Sequence, residues 1–434
     1  MEVSPGYKLT DVGVIPEDWE VKTLGQVGEA LIGLTYQPGD VRTHGTLVLR
    51  SSNIQKDALR FEDNVFVEKE IPDRIMVRPG DILICVRNGS RDLIGKTALL
   101  DDRTVGMTFG AFMAVFRSTN GRFINYLFQS RIIKKQINEH LGATINQITN
   151  KSLNSFLAPL PPTVGEQRSI AIVLSDMDAL LGILDQLIAK KRDLKQATMQ
   201  QLLTGKKRLP GFGEGKGYQQ TEIGLIPEDW GFKPLSDLID SLEAGVSVNS
   251  VEEDNNKHGQ EQSVLKTSSV SNGKFFPNEC KKIIPKDIYR AKLNPQANTI
   301  IISRMNTPVL VGECGYVGND YNNLFLPDRL WITRFKKDIL VNARWLSFIL
   351  SYSNFKKAIK DTATGTSGSM KNIAKDAFLQ IVVPYPKEEE QTAIANVLSD
   401  MDTELAALEQ RRDKTRALKQ GIMQELLTGK VRLL

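Results

Sequence analysis

The chain repeats one order of segments twice, and this repeat constrains its fold more than any other feature. Tyr7–Leu24 (YKLTDVGVIPEDWEVKTL) and Tyr218–Leu235 (YQQTEIGLIPEDWGFKPL) are identical at 10 of 18 positions. Glu166–Leu209 and Glu390–Leu433 are identical at 27 of 44 positions, and both contain LSDMD and end in LLTGK followed by a few residues. Chance gives roughly one match in twenty positions, so the similarity reflects duplication. Two copies favour a pseudo-two-fold molecule over a solenoid, which stacks three or more units.

The longer repeat predicts a long amphipathic helix in each half. Apolar residues recur at spacings of three, four or their multiples, and charged residues occupy the other positions. About 40 residues correspond to about 60 Å of helix. We therefore expect the two helices to pack on each other as a coiled coil, the alternative being that each lies on its own domain. The predicted packing and partner-docking positions are Met177, Leu181, Leu184 and Leu194 in the first helix, and Met401, Leu405, Leu408 and Leu418 in the second.

Four polar residues interrupt the apolar pattern, namely Lys191, Thr198, Arg412 and Thr415. They either set the helix register or face solvent at a frayed end, and we favour the second interpretation.

Each helix follows a variable segment of short β-branched and apolar runs separated by Gly, Pro, Asn and Asp. This pattern predicts mixed α/β domains with a curved or barrel-like sheet, so the fold class is α+β. The predicted boundaries are domain 1 at 1–160, helix 1 at 161–208, a Gly/Pro-rich linker at 209–222, domain 2 at 223–386 and helix 2 at 387–434.

Composition excludes several classes of protein. No run approaches the roughly 20 apolar residues of a membrane helix, and the N-terminus lacks the apolar core of a signal peptide, so we expect a cytoplasmic protein without membrane contacts. The three cysteines and three histidines are scattered, which disfavours a disulfide scaffold or a zinc site. A net charge of +5 permits nucleic-acid binding but does not argue for it alone.

Polar residues at matching positions of the two variable segments are candidate DNA contacts. Arg pairs bidentately with guanine, Asn and Gln pair with adenine, and Ser, Thr and Lys bind phosphates. Asp81–Gly95 aligns with Asn298–Gly312, which places Arg87 opposite Arg304. The set is Arg50, Ser51, Asn53, Arg87, Asn88 and Ser90 in the first segment, and Lys266, Thr267, Ser268, Arg304, Asn306 and Thr307 in the second. Weaker candidates in a later loop are Asn146, Gln147, Ser369 and Lys371. Taken individually, each is better interpreted as an ordinary solvated loop residue, and only the paired placement in both segments favours binding.

Motifs typical of catalysis are incomplete in this sequence. Gly89–Thr97 (GSRDLIGKT) resembles a phosphate-binding P-loop, but five residues rather than four separate its glycines. Asn294-Pro295-Gln296-Ala297 lacks the second proline and the aromatic residue with which adenine methyltransferases hold a flipped base. We therefore expect no catalytic residue and no metal site in this chain.

The order of segments, the IPEDW motif, the PLPP…EQ lead into LSDMD and the LLTGK end resemble the specificity subunit of type I restriction–modification systems, over essentially the whole chain. This resemblance implies two target-recognition domains joined by an antiparallel pair of helices, each domain reading one part of a bipartite double-stranded DNA target, with the helices setting the gap. It also implies a non-catalytic subunit.

The same resemblance implies that two methyltransferase subunits dock on the helices and that restriction/translocase subunits join them. S-adenosylmethionine, ATP and Mg are then bound by those partners, and no cofactor is bound by this chain. Two other classes stay open at this point: a self-contained methyltransferase or nuclease, and a coiled-coil assembly protein whose variable domains bind other proteins.

Overall fold

A computed structural model describes residues 4–142, 146–221, 224–252, 261–365 and 370–433, and the chain divides into two compact units. Unit 1 comprises residues 1–186 and 409–434, and unit 2 comprises residues 187–408. Both contain part of each long helix, Val164–Leu203 (long helix 1) and Glu388–Leu427 (long helix 2). The units therefore group the chain differently from the five linear segments predicted above.

Unit 1 combines short strands with short helices. Its strands are Tyr7–Thr10, Gly13–Pro16, Glu20–Thr23, Glu29–Ile32, Val41–Arg42, Thr46–Leu49, Ile54–Gln55, Ala58–Leu59, Phe66–Val67, Ile82–Cys85, Thr97–Leu99, Thr108–Phe109, Met113–Arg117 and Leu157–Leu160. Its α-helices, apart from the long ones, are Leu24–Val27, Gly121–Gln129, Arg131–Leu141 and Asn150–Ser155.

The central strand of unit 1, Ile82–Cys85, is buried on both faces. It lies between Thr97–Leu99 and Met113–Arg117, and both neighbours are antiparallel to it. Successive side chains of a strand point to opposite faces, so Ile82 and Ile84 join one apolar core while Leu83 and Cys85 join another.

Unit 2 repeats this construction. Its strands are Tyr218–Thr221, Gly224–Pro227, Gly231–Pro234, Ile239–Ala244, Ser250–Val251, Ser263–Leu265, Val270–Ser271, Gly273–Phe275, Cys280–Ile283, Thr299–Ser303, Met305–Asn306, Cys314–Val317, Leu324–Phe325, Leu330–Phe335, Ala363–Thr364, Lys371–Ile373 and Val382–Tyr385. Its shorter α-helices are Leu235–Leu238, Ala343–Ser351, Ser353–Asp361 and Lys375–Leu379.

The central strand of unit 2, Thr299–Ser303, lies between Cys314–Val317 and Leu330–Phe335, which are antiparallel to it. Ile300 and Ile302 enter one core and Ile301 enters the other, as in unit 1. The predicted α+β class is confirmed, with open sheets rather than closed barrels in the described residues.

Within each unit the two long helices run antiparallel. In unit 1, Lys419 forms ion pairs with Asp178 and Arg412 with Asp185. In unit 2, Lys195 pairs with Asp402 at 2.7 Å and Lys191 with Glu404 at 2.6 Å. In each unit, higher residue numbers on one helix meet lower numbers on the other, as antiparallel packing requires.

The contact seam of the helices follows alternating four- and three-residue steps, the heptad spacing of coiled coils. In long helix 1 it comprises residues 170, 174, 177, 181, 184, 188, 191, 195, 198 and 202. In long helix 2 it comprises the equivalent residues 394, 398, 401, 405, 408, 412, 415, 419, 422 and 426. All of these residues are buried or half-buried. Lys191 and Arg412 therefore lie in the seam with ion-pair partners, and Thr198 and Thr415 are half-buried in it. The prediction that these four residues face solvent is wrong. Leu194 and Leu418 are 51% and 58% exposed, so their predicted place in the seam is also wrong.

The IPEDW motif of each unit packs against the C-terminal end of a long helix. In unit 1 the fully buried Trp19 lies beneath the guanidinium of Arg432, which forms ion pairs with Asp18 and Glu166. The conformation at Gly429 (φ 70°) is left-handed, and a Cβ there would lie 2.5 Å from a carbon of Pro16. We call Trp19, Asp18, Glu166 and Arg432 the unit 1 clasp.

Unit 2 contains the same arrangement, which we call the unit 2 clasp. Arg208 stacks on Trp230 and forms ion pairs with Asp229 and Glu390. Burial alone lowers the pKa of Arg208, but hydrogen bonds to the two carboxylates outweigh it and the net pKa is raised. The same hydrogen bonding lowers the pKa of Asp229, and hydrogen bonding from Arg432 lowers that of Asp18. The two clasps explain why the motif and the helix end are repeated together.

Among the described helices, none has the length and apolar character needed to cross a membrane.

Candidate nucleic-acid interface

Three loops of unit 1 that carry predicted contact residues meet in the structure. The amide of Asn88 donates a hydrogen bond to the hydroxyl of Ser51 at 3.3 Å, which joins the first two loops. The backbone of Arg87 forms an isolated antiparallel bridge with Gln147, which adds the third. Arg87, Ser90, Asn146 and Gln147 are exposed and Asn88 is half-buried. The structure thus brings together candidates from positions 50 to 147 of the chain.

Asn53 is fully buried and holds the first loop from inside. Its side chain accepts a hydrogen bond from the backbone N–H of Arg50 and donates one to the carbonyl of Arg60, each at 2.8 Å. This burial argues against the predicted DNA contact, and we assign Asn53 to loop structure. Arg50 is half-exposed and paired with Asp63 at 2.7 Å.

In unit 2 several predicted contact residues form ion pairs or hydrogen bonds with neighbouring side chains. Lys266 pairs with Glu252, and the hydroxyl of exposed Ser268 donates to Glu279. Asn306 is buried, its amide donates to Ser303, and this argues against its predicted DNA contact as well.

Thr267 and Lys371 are half-buried and Thr307 is exposed. Lys371 lies on a short strand that pairs with the strand of Asn306. Ser369 lies outside the described residues.

The two central strands correspond with an offset one residue larger than the sequence alignment predicted. Ile84 pairs with Thr97 and Cys85 with Met113, whereas Ile302 pairs with Cys314 and Ser303 with Leu330. Cys85 therefore corresponds to Ser303, and the next residues, Val86 and Arg87, correspond to Arg304 and Met305.

This register corrects the predicted pairing of Arg87 with Arg304. A shift of one residue moves a side chain to the other face of a strand. Arg304 is half-buried, its Nε donates to the carbonyl of Asp328 at 2.7 Å, and it stacks on Trp331. Arg87 instead projects from an exposed position and stacks on Phe112, with 5.2 Å between its guanidinium carbon and the ring centre.

Phe112 and Arg329 are surface residues that the sequence reasoning missed. The backbone N–H groups of Val86 and Arg87 donate to the carbonyl of Phe112, and the N–H of Arg304 donates to that of Arg329, each at 3.1 Å. Phe112 and Arg329 thus occupy the same backbone position in the two units. Each directly precedes an apolar strand, Met113–Arg117 or Leu330–Phe335, and aligning those strands could have revealed the correspondence.

A cavity of about 820 Å³ lies beside the joined loops of unit 1. Its lining includes Tyr36, Arg50, Ser51, Ser52 and Phe112. Arg50 Nε and Ser52 Oγ are buried there without a hydrogen-bond partner in the described residues.

Three features typical of catalytic sites are relevant to the described residues, namely a P-loop, a reactive thiol and a metal-binding cluster. The predicted P-loop resemblance does not produce a P-loop, because Thr97 begins the strand Thr97–Leu99 where a P-loop would begin a helix. Burial raises the pKa of the Cys85 thiol and raises that of Cys314 to about 11, which keeps both thiols protonated. No group of three His, Cys, Asp or Glu side chains in the described part of the chain is placed to hold a metal ion.

Comparison with known proteins places the chain among DNA specificity proteins. The family model described as "Type I restriction modification DNA specificity domain" matches residues 16–190 and 227–416. The specificity subunit of the type I restriction enzyme MjaVIII from Methanocaldococcus jannaschii is 27% identical over 96% of this chain and 94% of its own length. The EcoKI specificity subunit of Escherichia coli is 26% identical over 89% of this chain and 82% of its own length.

Solved structures agree on the fold. The S subunit of a type I restriction–modification system from M. genitalium superposes with a TM-score of 0.58 at 15% identity, covering 98% of this chain and 99% of that one. A chain from a study of type I complex assembly gives 0.51 at 17% identity, over 96% and 99% of the two chains. Because the family model matches both halves and the relatives align over nearly the whole length, the chain belongs to the type I restriction–modification DNA specificity family.

Proposed function

We propose that each unit of this specificity subunit reads one part of a bipartite DNA target, and that the subunit works with methyltransferase and restriction partners. The observation that carries the proposal is the common loop framework of the two units, which presents different side chains at equivalent positions. A shared backbone with different side chains is suited to two recognition sites of the same geometry and different sequence.

Exchange of one variable segment tests this division. The experiment replaces residues 25–160 with the corresponding segment of a related specificity subunit and maps methylated adenines across a genome, with the unchanged chain and a chain-free host as controls. We expect one part of the target to change and the other to stay the same. A change in both parts, or methylation that is independent of this chain, would contradict the proposal.

Methyltransferase subunits are proposed to dock on the long helices. One row of long helix 1 beside the seam is apolar, and its members Leu180, Leu187 and Leu194 are 37%, 37% and 51% exposed. The equivalent row of long helix 2 carries Glu404 and Arg411 in place of the first two leucines, and only its third member, Leu418, is apolar. An uncovered apolar row next to a coiled-coil seam is typical of a helix that receives a further helix.

Exchanging this row tests the docking. The variant Leu180→Glu/Leu187→Arg gives long helix 1 the residues of long helix 2, and Lys190→Glu is the control on the same helix. We expect the variant, but not the control, to bind fewer methyltransferase subunits by native mass spectrometry. Unchanged stoichiometry and affinity would place the docking surface elsewhere.

The helices are further proposed to set the gap between the two parts of the target, and S-adenosylmethionine, ATP and Mg are proposed to bind to the partner subunits. Lengthening or shortening the chain next to Thr204-Gly205-Lys206 is expected to change the gap and leave the recognised bases unchanged. Sequencing of methylated sites that shows a constant gap would exclude this role.

Two experiments separate the competing functions. Binding across random duplexes, measured with the methyltransferase present, distinguishes DNA recognition from a pure assembly role, for which binding would be absent or independent of sequence. Calorimetry with S-adenosylmethionine and the purified chain tests whether this chain carries an enzyme site of its own.

A further inference from the structure

Two positions that are neighbours in space carry an arginine and a large apolar side chain in each unit, but in opposite order. At the first position unit 1 has Arg87 and unit 2 has Met305, and at the second unit 1 has Phe112 and unit 2 has Arg329. Each surface thus carries one arginine and one large apolar side chain, in opposite order.

The backbone that presents these positions is held by hydrogen bonds in both units. The carbonyl of Phe112 accepts two backbone hydrogen bonds, and Met113 N–H donates to Gly110 at 2.8 Å to close the turn before the strand. In unit 2, Leu330 N–H donates to Pro327 in the same way. A fixed backbone under a variable side chain is what a specificity-determining position requires.

Phe112 is an unusual residue for a purely structural position. Its side chain is 60% exposed although it directly precedes a buried strand. Its ring supports the guanidinium of Arg87 and also lines the cavity beside Arg50 and Ser51. Leaving an aromatic ring exposed forgoes the stabilisation of burial, so an external apolar group is the natural partner for it.

The geometry points to Phe112 as a specificity-determining residue that contacts the 5-methyl group of a thymine in the half-site read by unit 1, next to a guanine read by Arg87. In the major groove only thymine presents a methyl group, and apolar side chains recognise it by contact, whereas arginine pairs with guanine. In unit 2 the exchanged order assigns the guanine contact to Arg329 rather than to Arg304. This inference rests on the proposed function, because it takes each unit as the reader of one half-site.

The test uses the complex of this chain with its methyltransferase subunits and duplexes that contain the mapped target. Each thymine of the target is replaced in turn by 2′-deoxyuridine, which removes only the methyl group, and dissociation constants are measured by fluorescence anisotropy. We expect one replacement in one half-site to weaken binding about fourfold, the effect of leaving one methyl-sized group uncovered.

Phe112→Ala is expected to remove that fourfold difference, while Val105→Ala, a change at another exposed apolar residue of unit 1, leaves it intact. Phe112→Leu keeps an apolar side chain at this position and is expected to retain part of the fourfold difference. Thermal unfolding of each variant confirms that the fold is unchanged.

In the other half-site, Arg329→Ala is expected to relax the preference for one guanine, and Arg304→Ala is not. A target without a methyl-sensitive thymine, or a 2′-deoxyuridine effect that persists in Phe112→Ala, would overturn the assignment while leaving sequence-specific binding in place. Absence of sequence preference in the unchanged complex would instead contradict the proposed function itself, and with it this assignment.

Discussion

At the scale of single residues, similar side chains in the two units have different tasks. The sequence predicted Arg87 and Arg304 as equivalent DNA contacts, but strand register places them one position apart. Sequence similarity could locate the loops because glycines and apolar runs align well there. It could not fix the register of the central strands. Unit 1 has one residue more than unit 2 between this strand and the matching glycine, and only the pairing with the neighbouring strands reveals the difference.

Replacing the two arginines should separate binding from stability. Arg87→Ala is expected to weaken specific DNA binding by about 1–3 kcal/mol with little effect on unfolding. Arg304→Ala is expected to cost about 1 kcal/mol of stability, because it removes the hydrogen bond to Asp328 and the stacking on Trp331. Anisotropy with target duplex and urea unfolding measure the two quantities. Equal effects of Arg87→Ala and Arg304→Ala on DNA binding and on stability would contradict the different roles assigned to these two arginines.

The clasps predict an acid-sensitive contribution to stability. Hydrogen bonds from Arg432 and Arg208 lower the pKa values of Asp18 and Asp229 in the folded chain. A carboxylate with a lowered folded pKa stabilises the fold above its unfolded pKa, near 4, and this contribution is lost as pH falls through the folded value.

The double variant Asp18→Asn/Asp229→Asn should therefore show a flatter decline of the unfolding midpoint between about pH 5 and pH 2 than the unchanged chain. Thermal unfolding over that range measures the slope. Asp11→Asn, an exposed change in the same N-terminal segment, serves as control. Parallel slopes for all three chains would show that the clasps contribute nothing to the acid response.

At the scale of elements, the long helices were the most predictable part of the molecule. Their period follows from local spacing, so the seam positions Met177, Leu184 and Leu405 could be expected from the sequence alone. Leu194 was misplaced because apolar residues occur in two adjacent rows of long helix 1 and spacing alone does not say which row meets the partner helix. The positions of Lys191 and Arg412 were predicted wrongly for a similar reason, since their ion-pair partners Glu404 and Asp185 lie more than 200 positions away in the chain.

Equivalent aspartates of the two helices should differ strongly in importance. Asp402 is nearly buried and faces Lys195, Lys274 and Arg344. Burial lowers the pKa of Lys195, and the pairing with Asp402 partly opposes this effect. Removing the carboxylate leaves three cations without their shared partner, so Asp402→Asn is expected to cost about 3 kcal/mol.

The equivalent Asp178 is far more exposed and binds Lys419 and the hydroxyl of Tyr126. Asp178→Asn is therefore expected to cost about 1 kcal/mol or less. Urea unfolding of the two variants provides a matched comparison within one chain. Equal losses of stability would refute the difference assigned to the buried cluster.

At the scale of the whole molecule, the sequence predicted five consecutive segments and the structure groups them into two units that share both helices. Linear reading could not anticipate this grouping, because it depends on which end of each helix meets which copy of the IPEDW motif. The repeat in sequence showed that motif and helix belong together, but only the contacts of Arg432 with Asp18 and of Arg208 with Asp229 assign the partners.

Loosening one clasp should therefore affect one unit. Arg432→Met is expected to increase amide hydrogen exchange in unit 1, around Trp19 and the last turns of long helix 2, and Arg208→Met to do so in unit 2 around Trp230. Each change leaves one buried carboxylate, Glu166 or Glu390, without its cation, which makes local opening easier by about 2 kcal/mol. Exchange that rises equally in both units after either change would contradict independent clasps.

The division of the chain also has a consequence for biosynthesis. Unit 2 is one continuous stretch, residues 187–408, whereas unit 1 needs residues 409–434 to cover Trp19 and to pair Arg432 with Asp18. Multidomain chains generally fold their N-terminal domain first as they leave the ribosome. In this chain the unit whose synthesis begins first must wait for the segment made after unit 2. We therefore expect unit 1 to be exposed to misfolding and to proteases for longer than unit 2 during translation.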